Sequence, residues 1–131
     1  MFDEVKDSGY REEFDSGSRR DTQDGKGCFD LIPGYPMLRL AQHYQNGAKK
    51  YGPHNWSKGQ PISRYFSSAM RHLYKWLMGY REEDHLSAAV WNIFCIIDHE
   101  ERIRLGYLDP KFDDMGETPR YVPLNEEGDC K

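Results

Sequence analysis

The feature that most constrains the fold is residues 86–97, which read LSAAVWNIFCII. Apolar residues recur there at three- and four-residue spacing, which predicts a helix from about Glu83 to Leu105. Its predicted core stripe is Leu86, Ala89, Val90, Ile93 and Ile97. Because the helix is apolar nearly all round over this stretch, we expect it in the middle of a bundle or in a subunit interface.

Two further helices are predicted before it. One runs from about Pro36 to Tyr51, before the stop Gly52-Pro53, and the other from about Ile62 to Met78, before Gly79. Their predicted core stripes are Leu38, Ala41, Tyr44 and Ala48 in the first, and Ile62, Phe66, Ala69, Leu73 and Leu77 in the second. The short link YREED favours antiparallel packing of the last two helices. We predict an all-α, compact bundle of three main helices, with a core completed by oligomerisation.

The flanks differ in composition from the helical part. We predict a flexible N-terminal segment at 1–17, a helical domain at 18–106 and an extended C-terminal tail at 107–131. The segment at 16–36 carries many charges and two prolines, and we interpret it as an extended arm laid over the domain without a strand system.

Charge and cysteine content exclude several protein classes. A net charge of −4 disfavours a stable nucleic-acid partner, and a DNA-binding helical module is the weakest alternative. No apolar run reaches the ~20 residues of a membrane span, and no secretory signal is visible, so we expect a cytoplasmic protein. The three cysteines form no CxxC pair, which argues against a disulfide framework or a cysteine zinc site. Cys95 is expected to be a small buried hydrophobe.

Polar residues in the third helix require an explanation. His85, Asn92 and His99 lie seven residues apart and therefore share one side of the helix. An unpaired amide inside AVWNIFCII would cost roughly 1–3 kcal/mol. Asn92 therefore needs either a ligand or a hydrogen-bond partner on a neighbouring helix, and the sequence leaves both open.

Antiparallel packing would bring polar residues of two helices to one end of the bundle. These residues are Arg71, His72, Asp84, His85 and Asn92. Carboxylate and imidazole together suit Mg²⁺ or Mn²⁺ held partly through water, with cations nearby for phosphate. Taken singly, His72 also fits an ordinary rim residue, and the acids of REEDH fit the start of a helix.

Basic and aromatic residues elsewhere suggest phosphate and base binding. Arg19, Arg20 and Lys26 lie in the arm, Lys49 and Lys50 near the end of the first helix, and His54, Asn55 and Trp56 in the following loop. Arginine and lysine bind phosphate, and tryptophan offers a stacking face. Ordinary solvated charge is the alternative for any single lysine, and GKG lacks the spacing of a Walker loop.

Four stretches in order carry a family resemblance: RRDTQDGKGCFDLIP, LRLAQHYQNGAKKYGPHNW, SAMRHLYKWLMG and EDHLSAAVWNIFCII. Over about residues 18–101 the chain resembles the phage-encoded dATP/dGTP diphosphohydrolases. The resemblance implies metal-dependent cleavage of purine deoxynucleoside triphosphates to the monophosphate and pyrophosphate. It also implies kinship with MazG- and HisE-type pyrophosphohydrolases, although their EExxE and ExxD motifs are replaced here by SSAMRH and EDHLSAA.

The resemblance also implies site residues. Asp84, His85 and His72 would hold or orient Mg²⁺ (or Mn²⁺) or the attacking water, while Arg71, Lys50 and Lys26 would neutralise phosphate. Asn55 or Asn92 would contact the sugar or base, and Trp56 would stack on the base. Arg20 and Asp21 match the arm of the family.

Other features remain open. The alternatives are a catalytically silent nucleotide-binding or host-directed interaction protein on the same scaffold, and a related hydrolase acting on a pyrimidine triphosphate. Helical relatives are similar in forming dimers or tetramers with shared sites, so we expect a homo-oligomer. If the gene is phage-encoded, the resemblance implies removal of purine deoxynucleotides in the host cytoplasm.

Overall fold

The structure is a computed structural model that describes residues 7–116. Within them, three α-helices span Gly34–Tyr51 (α1), Ile62–Leu77 (α2) and His85–Leu105 (α3), which confirms the all-α class. A two-stranded hairpin precedes them, formed by Arg11–Glu13 (β1) and Arg19–Asp21 (β2). The chain divides into one unit that ends at Pro33 and another that begins at Gly34. Residues 1–6 of the predicted N-terminal segment and 117–131 of the predicted tail lie outside the described residues.

The hairpin corrects the prediction that the 16–36 segment contains no strands. Its antiparallel register pairs Arg11 with Asp21, Glu12 with Arg20, and Glu13 with Arg19, so opposite charges face each other at every position. The reversal between Phe14 and Ser18 closes on Gly17, whose φ of 87° belongs to the left-handed region. Pairing here depends on charge and turn chemistry, whereas the sequence prediction relied on apolar content.

The buried faces of the helices are only partly those predicted. In α1 Leu40 is buried, whereas the predicted Leu38 is exposed. In α2 the buried residues are Ile62, Tyr65, Ala69 and His72, whereas the predicted Phe66, Leu73 and Leu77 lie at the surface. The apolar residues of α1 and α2 cover a wider surface than the neighbouring helices bury. Periodicity alone therefore does not show which of two adjacent apolar faces is buried.

The third helix buries a different face from the predicted one, except at Ala89, which is buried as predicted. Its buried residues are His85, Ser87, Ala88, Ala89, Asn92, Cys95 and His99. The predicted core residues Val90, Ile93 and Ile97 are instead 39%, 42% and 54% exposed, and Phe94 beside them is 41% exposed. Small residues on the inner side let α3 approach the other helices closely. The larger apolar residues therefore point away from this chain's own core.

A segment after α3 holds the start of α2. Pro61, the residue before α2, offers no side-chain cap, and the carboxylate of Asp114 supplies one by accepting hydrogen bonds from the backbone N–H of Ser63 (2.9 Å) and from its hydroxyl. Nearby, a Cβ on Gly59 would come within 2.5 Å of the Phe112 ring, and Gly59 has a φ of 104°. Glycine is therefore required at this position for two independent reasons.

None of the described helices is both long enough and apolar enough to cross a membrane.

Cysteine reactivity gives a direct test of the core. Cys95 is buried, and desolvation raises the pKa of its thiol to about 12, whereas Cys28 is exposed. Because the thiolate is the reactive form, we expect iodoacetamide at pH 8 to alkylate Cys28 and leave Cys95 unmodified until the protein unfolds. Peptide mass spectrometry with and without denaturant measures this. Equal labelling of both thiols in the native protein would contradict the packing of α3.

Candidate functional site

A cavity of about 870 Å³ lies between the C-terminal half of α1, the following loop, α2 and the middle of α3. Its volume is in the range of small-molecule sites in proteins. The residues that line the cavity include Tyr44, Asn55, Trp56, Arg64, Tyr65, Ser68, Arg71, Trp91 and Asn92. The cavity brings together five residues singled out from the sequence: His54, Asn55, Trp56, Arg71 and Asn92.

Aromatic rings form one wall of the cavity. The Trp91 ring lies 5.8 Å from that of Tyr65 and 6.2 Å from that of Tyr44, and Tyr44 contacts Trp56 edge-on at 6.4 Å. Burial raises the pKa of Tyr44 to about 12, so its hydroxyl is protonated at neutral pH. This wall offers flat apolar surface, the kind on which a planar ring stacks.

Two arginines of α2 supply the charge of the cavity. Arg64 and Arg71 are seven residues apart and so share one side of the helix, and Arg71 is oriented by donating to the Ser68 hydroxyl at 3.2 Å. Within residues 7–116, neither guanidinium has a carboxylate within ion-pair distance, and no aspartate or glutamate lines the cavity. The cavity is therefore suited to an anion.

The loop that closes the cavity is held from behind by α3. Arg102 donates to the backbone carbonyl of Ser57 at 3.0 Å, and its guanidinium lies 5.9 Å from the Trp56 ring. Deeper, the fully buried His99 accepts a hydrogen bond through Nε2 from the backbone N–H of Gln60 at 3.2 Å. These contacts fix the position of Trp56 at the cavity.

The polar residues of α3 have separate environments. Asn92 donates its amide to the Ala88 carbonyl at 2.8 Å, one turn earlier in α3, which corrects the expected partner on a neighbouring helix, and it also lines the cavity. His85 lies instead against α2, where its Nδ1 is 2.9 Å from the Nδ1 of His72. Both imidazoles are buried, and desolvation is the main cause that lowers the pKa of His72.

Carboxylates surround the imidazole pair. Glu83 places Oε1 3.5 Å from the Nδ1 of His72 and 3.8 Å from the Nδ1 of His85. Glu82 accepts a hydrogen bond from the Nε2 of His85 at 2.8 Å. His72, Glu83 and His85 thus form a group of three ligand-type side chains, and none of them lines the cavity.

The carboxylate of Asp84 binds Arg39 and Ser87 and not the imidazole pair. It caps α3 by accepting from the Ser87 backbone N–H at 3.1 Å, and Arg39 donates to it at 2.8 Å. The Arg39 guanidinium is the largest cause that holds the Asp84 pKa well below its usual range. Both of its oxygens are therefore engaged, which leaves Glu82 and Glu83 as the acids of the link between α2 and α3 that contact the imidazole pair.

The remaining predicted site residues do not line the cavity. Arg20, Asp21 and Lys26 belong to the first unit, where Lys26 donates to Asp21 at 3.0 Å and all three line a small cleft. Lys50 is exposed, with its ammonium 5.3 Å from the Tyr51 ring.

Several cavity and cluster residues were not assigned a role by sequence reasoning. Sequence periodicity places Tyr44 in the core stripe of α1 and assigns no role to Trp91 or Arg64. Glu82 and Glu83 were attributed to favourable helix starting. The useful signal was the pairing of Arg64 with Arg71 at seven-residue spacing, whereas the role of Glu83 depends on a loop conformation that no periodicity describes.

Together, these features define a small all-helical protein with an aromatic, positively charged cavity. A comparison with protein families matches residues 16–108 to the family described as dATP/dGTP diphosphohydrolase, N-terminal. Because the match spans more than half of the 131 residues, the chain belongs to this family. No curated protein and no solved structure matched the chain in the same comparisons.

Proposed function

We propose that the protein hydrolyses purine deoxynucleoside triphosphates, dATP or dGTP, to the monophosphate and pyrophosphate in a metal-dependent reaction. The observation that carries this proposal is the cavity, which combines aromatic walls with two arginines that no carboxylate of residues 7–116 neutralises. A nucleoside triphosphate has the matching chemistry, with a planar base at one end and several negative charges at the other. Membership of the family supplies the reaction type.

Different residues of the cavity would bind the base, the sugar and the phosphates. Trp56, Tyr44 or Trp91 would stack against the base, while the amides of Asn55 and Asn92 would bind its edge or the sugar. Arg64 and Arg71 would bind the phosphates and stabilise negative charge as it moves to the leaving pyrophosphate. These interactions accelerate hydrolysis only where they strengthen in the transition state.

The metal in this proposal would supply charge neutralisation and an activated water. The described side chains that fit a divalent ion are His72, Glu83 and His85, whose ligand atoms lie within 4.8 Å of one another. Asp84, assigned to the metal from the sequence, is paired with Arg39 instead. The chain's own contribution is therefore two imidazole nitrogens, one from α2 and one from the first residue of α3, and one carboxylate from the link between these helices.

A nucleotide panel tests the function. The protein is incubated with the eight common nucleoside triphosphates in Mg²⁺, Mn²⁺, Zn²⁺ or EDTA, and the products are separated by chromatography. We expect dAMP or dGMP with pyrophosphate, and no product in EDTA. Release of orthophosphate, or a preference for pyrimidine triphosphates, would contradict the proposed reaction or substrate.

A second candidate, nucleotide binding without turnover, is favoured by one observation. His72, Glu83 and His85 do not line the cavity, so the metal-type side chains and the anion-type side chains face different spaces in a single chain. Saturable quenching of tryptophan fluorescence by dATP, with no product in any metal, would support this candidate over hydrolysis.

A further inference from the structure

The geometry points to a binding site for a divalent transition-metal ion of the zinc type, formed by His72, Glu83 and His85. The inference extends the proposed function by naming the ion class and its ligands, but it depends only on the side chains. Three separate observations support it: the spacing of the donor atoms, the carboxylate behind one imidazole, and the kind of donors present.

The donor atoms have the spacing of metal ligands. The Nδ1 atoms of His72 and His85 are 2.9 Å apart, and Oε1 of Glu83 lies 3.5 Å and 3.8 Å from them. A tetrahedral ion with bonds of about 2.1 Å places its ligands about 3.4 Å apart. The three observed separations bracket that value, so the donor atoms are spaced as ligands of a single ion.

The second observation concerns Glu82. Its carboxylate accepts the Nε2 hydrogen of His85 at 2.8 Å. With its hydrogen at Nε2, the imidazole presents an unprotonated Nδ1 towards His72 and Glu83. Histidines that bind metals commonly have such a carboxylate partner, which fixes the tautomer and the ring orientation. Glu82 is thus a positioning residue for His85.

The third observation is the type of donor. Mg²⁺ binds through oxygen and retains several waters, whereas imidazole nitrogen suits Zn²⁺ and related ions. Two of the three donors here are imidazoles, and the neighbouring carboxylate of Asp84 is paired with Arg39. The donor set therefore fits Zn²⁺ better than the Mg²⁺ expected from the sequence.

The alternative for the same geometry is an ordinary hydrogen bond between the two imidazoles, with His72 as the donor. In that case the pair binds no ion, and the carboxylate of Glu83 lies beside the two imidazoles without sharing an ion with them. Direct metal titration in the absence of nucleotide separates the two possibilities. Its failure is also distinguishable from failure of the proposed hydrolysis, because no substrate is present.

The experiment titrates the full chain, after EDTA treatment and dialysis, with Zn²⁺ by isothermal titration calorimetry, and with Co²⁺ followed by visible absorption. We expect one ion per chain and little competition from millimolar Mg²⁺. Glu83→Gln and His72→Ala should each weaken Zn²⁺ binding at least 100-fold, and Glu82→Gln about 10- to 100-fold. His54→Ala and Glu100→Gln, which change an imidazole and a carboxylate away from the cluster, serve as matched controls and should bind as the parent protein does.

Two results would overturn the inference. One is the absence of saturable Zn²⁺ or Co²⁺ binding to the folded parent chain. The other is unchanged binding in Glu83→Gln, a variant whose side chain is half exposed and whose fold should survive. Circular dichroism of each variant confirms that a loss of binding is not a loss of folding.

Discussion

Replacing Arg71 by alanine is expected to lower kcat/KM for the preferred triphosphate by about 100-fold or more, with the helical fold intact. Arg71 lies at the surface of α2, lines the cavity and makes one side-chain hydrogen bond, to Ser68. Its removal therefore costs little packing. What it removes is a cation that can stabilise charge on the phosphates as the bond breaks.

The controls for this variant separate charge from geometry. Arg71→Lys keeps the charge but loses the two-pronged guanidinium, so an intermediate rate is expected. Arg104→Ala deletes the same charge from the far end of α3, where Arg104 pairs with Glu101, and should leave the rate unchanged. Circular dichroism and steady-state kinetics measure both. An Arg71→Ala enzyme with the parent kcat/KM would exclude Arg71 from the phosphate site.

Changing Ile97 to glutamate is expected to convert an oligomer of this chain to the monomer. We expect the parent to be at least a dimer, because Val90, Ile93, Phe94 and Ile97 form an exposed apolar row on one side of α3. On α2, Phe66, Met70, Leu73 and Leu77 form another. A second copy of the chain would cover such rows, because the same apolar surface is present on each copy.

Light scattering after size-exclusion chromatography measures this change. Ile97→Glu places a charge in the middle of the α3 row, and its burial in an interface would cost several kcal/mol. Gln45→Glu adds the same charge at an exposed position of α1 and should leave the mass unchanged. A parent protein that is monomeric at tens of micromolar would contradict the assembly.

The ends of the helices were predictable, whereas their buried faces were not. Gly52-Pro53, Gly79 and Gly106 stop helices for local reasons, so α2 and α3 were placed within two residues of their observed bounds. Orientation depends on what packs nearby. In α3, Ala89 is buried as predicted, and Ala88 is buried beside it because small side chains permit close approach, whereas periodicity favours the bulkier Val90 side.

The candidate site was also predictable only in part. Asn55, Trp56, Arg71 and Asn92 stood out as polar or aromatic residues in unusual surroundings, and the structure gathers them on one cavity. The choice between Glu83 and Asp84 was not accessible from the sequence. It depends on Arg39, which lies 45 residues away and occupies Asp84 across two helices.

The short segment after α3, which contains Phe112 and Asp114, belongs to the folded structure although it lies beyond the region of family similarity. The family match ends at residue 108, yet Phe112 packs on Gly59 and Asp114 caps α2. Both contacts lie next to the loop that carries Trp56. A chain shortened to the matched region would keep every residue that lines the cavity. It would lose the contacts of Phe112 and Asp114 that hold the loop and the start of α2 beside the cavity. The part of the chain that is similar to the family is therefore shorter than the part that must fold together.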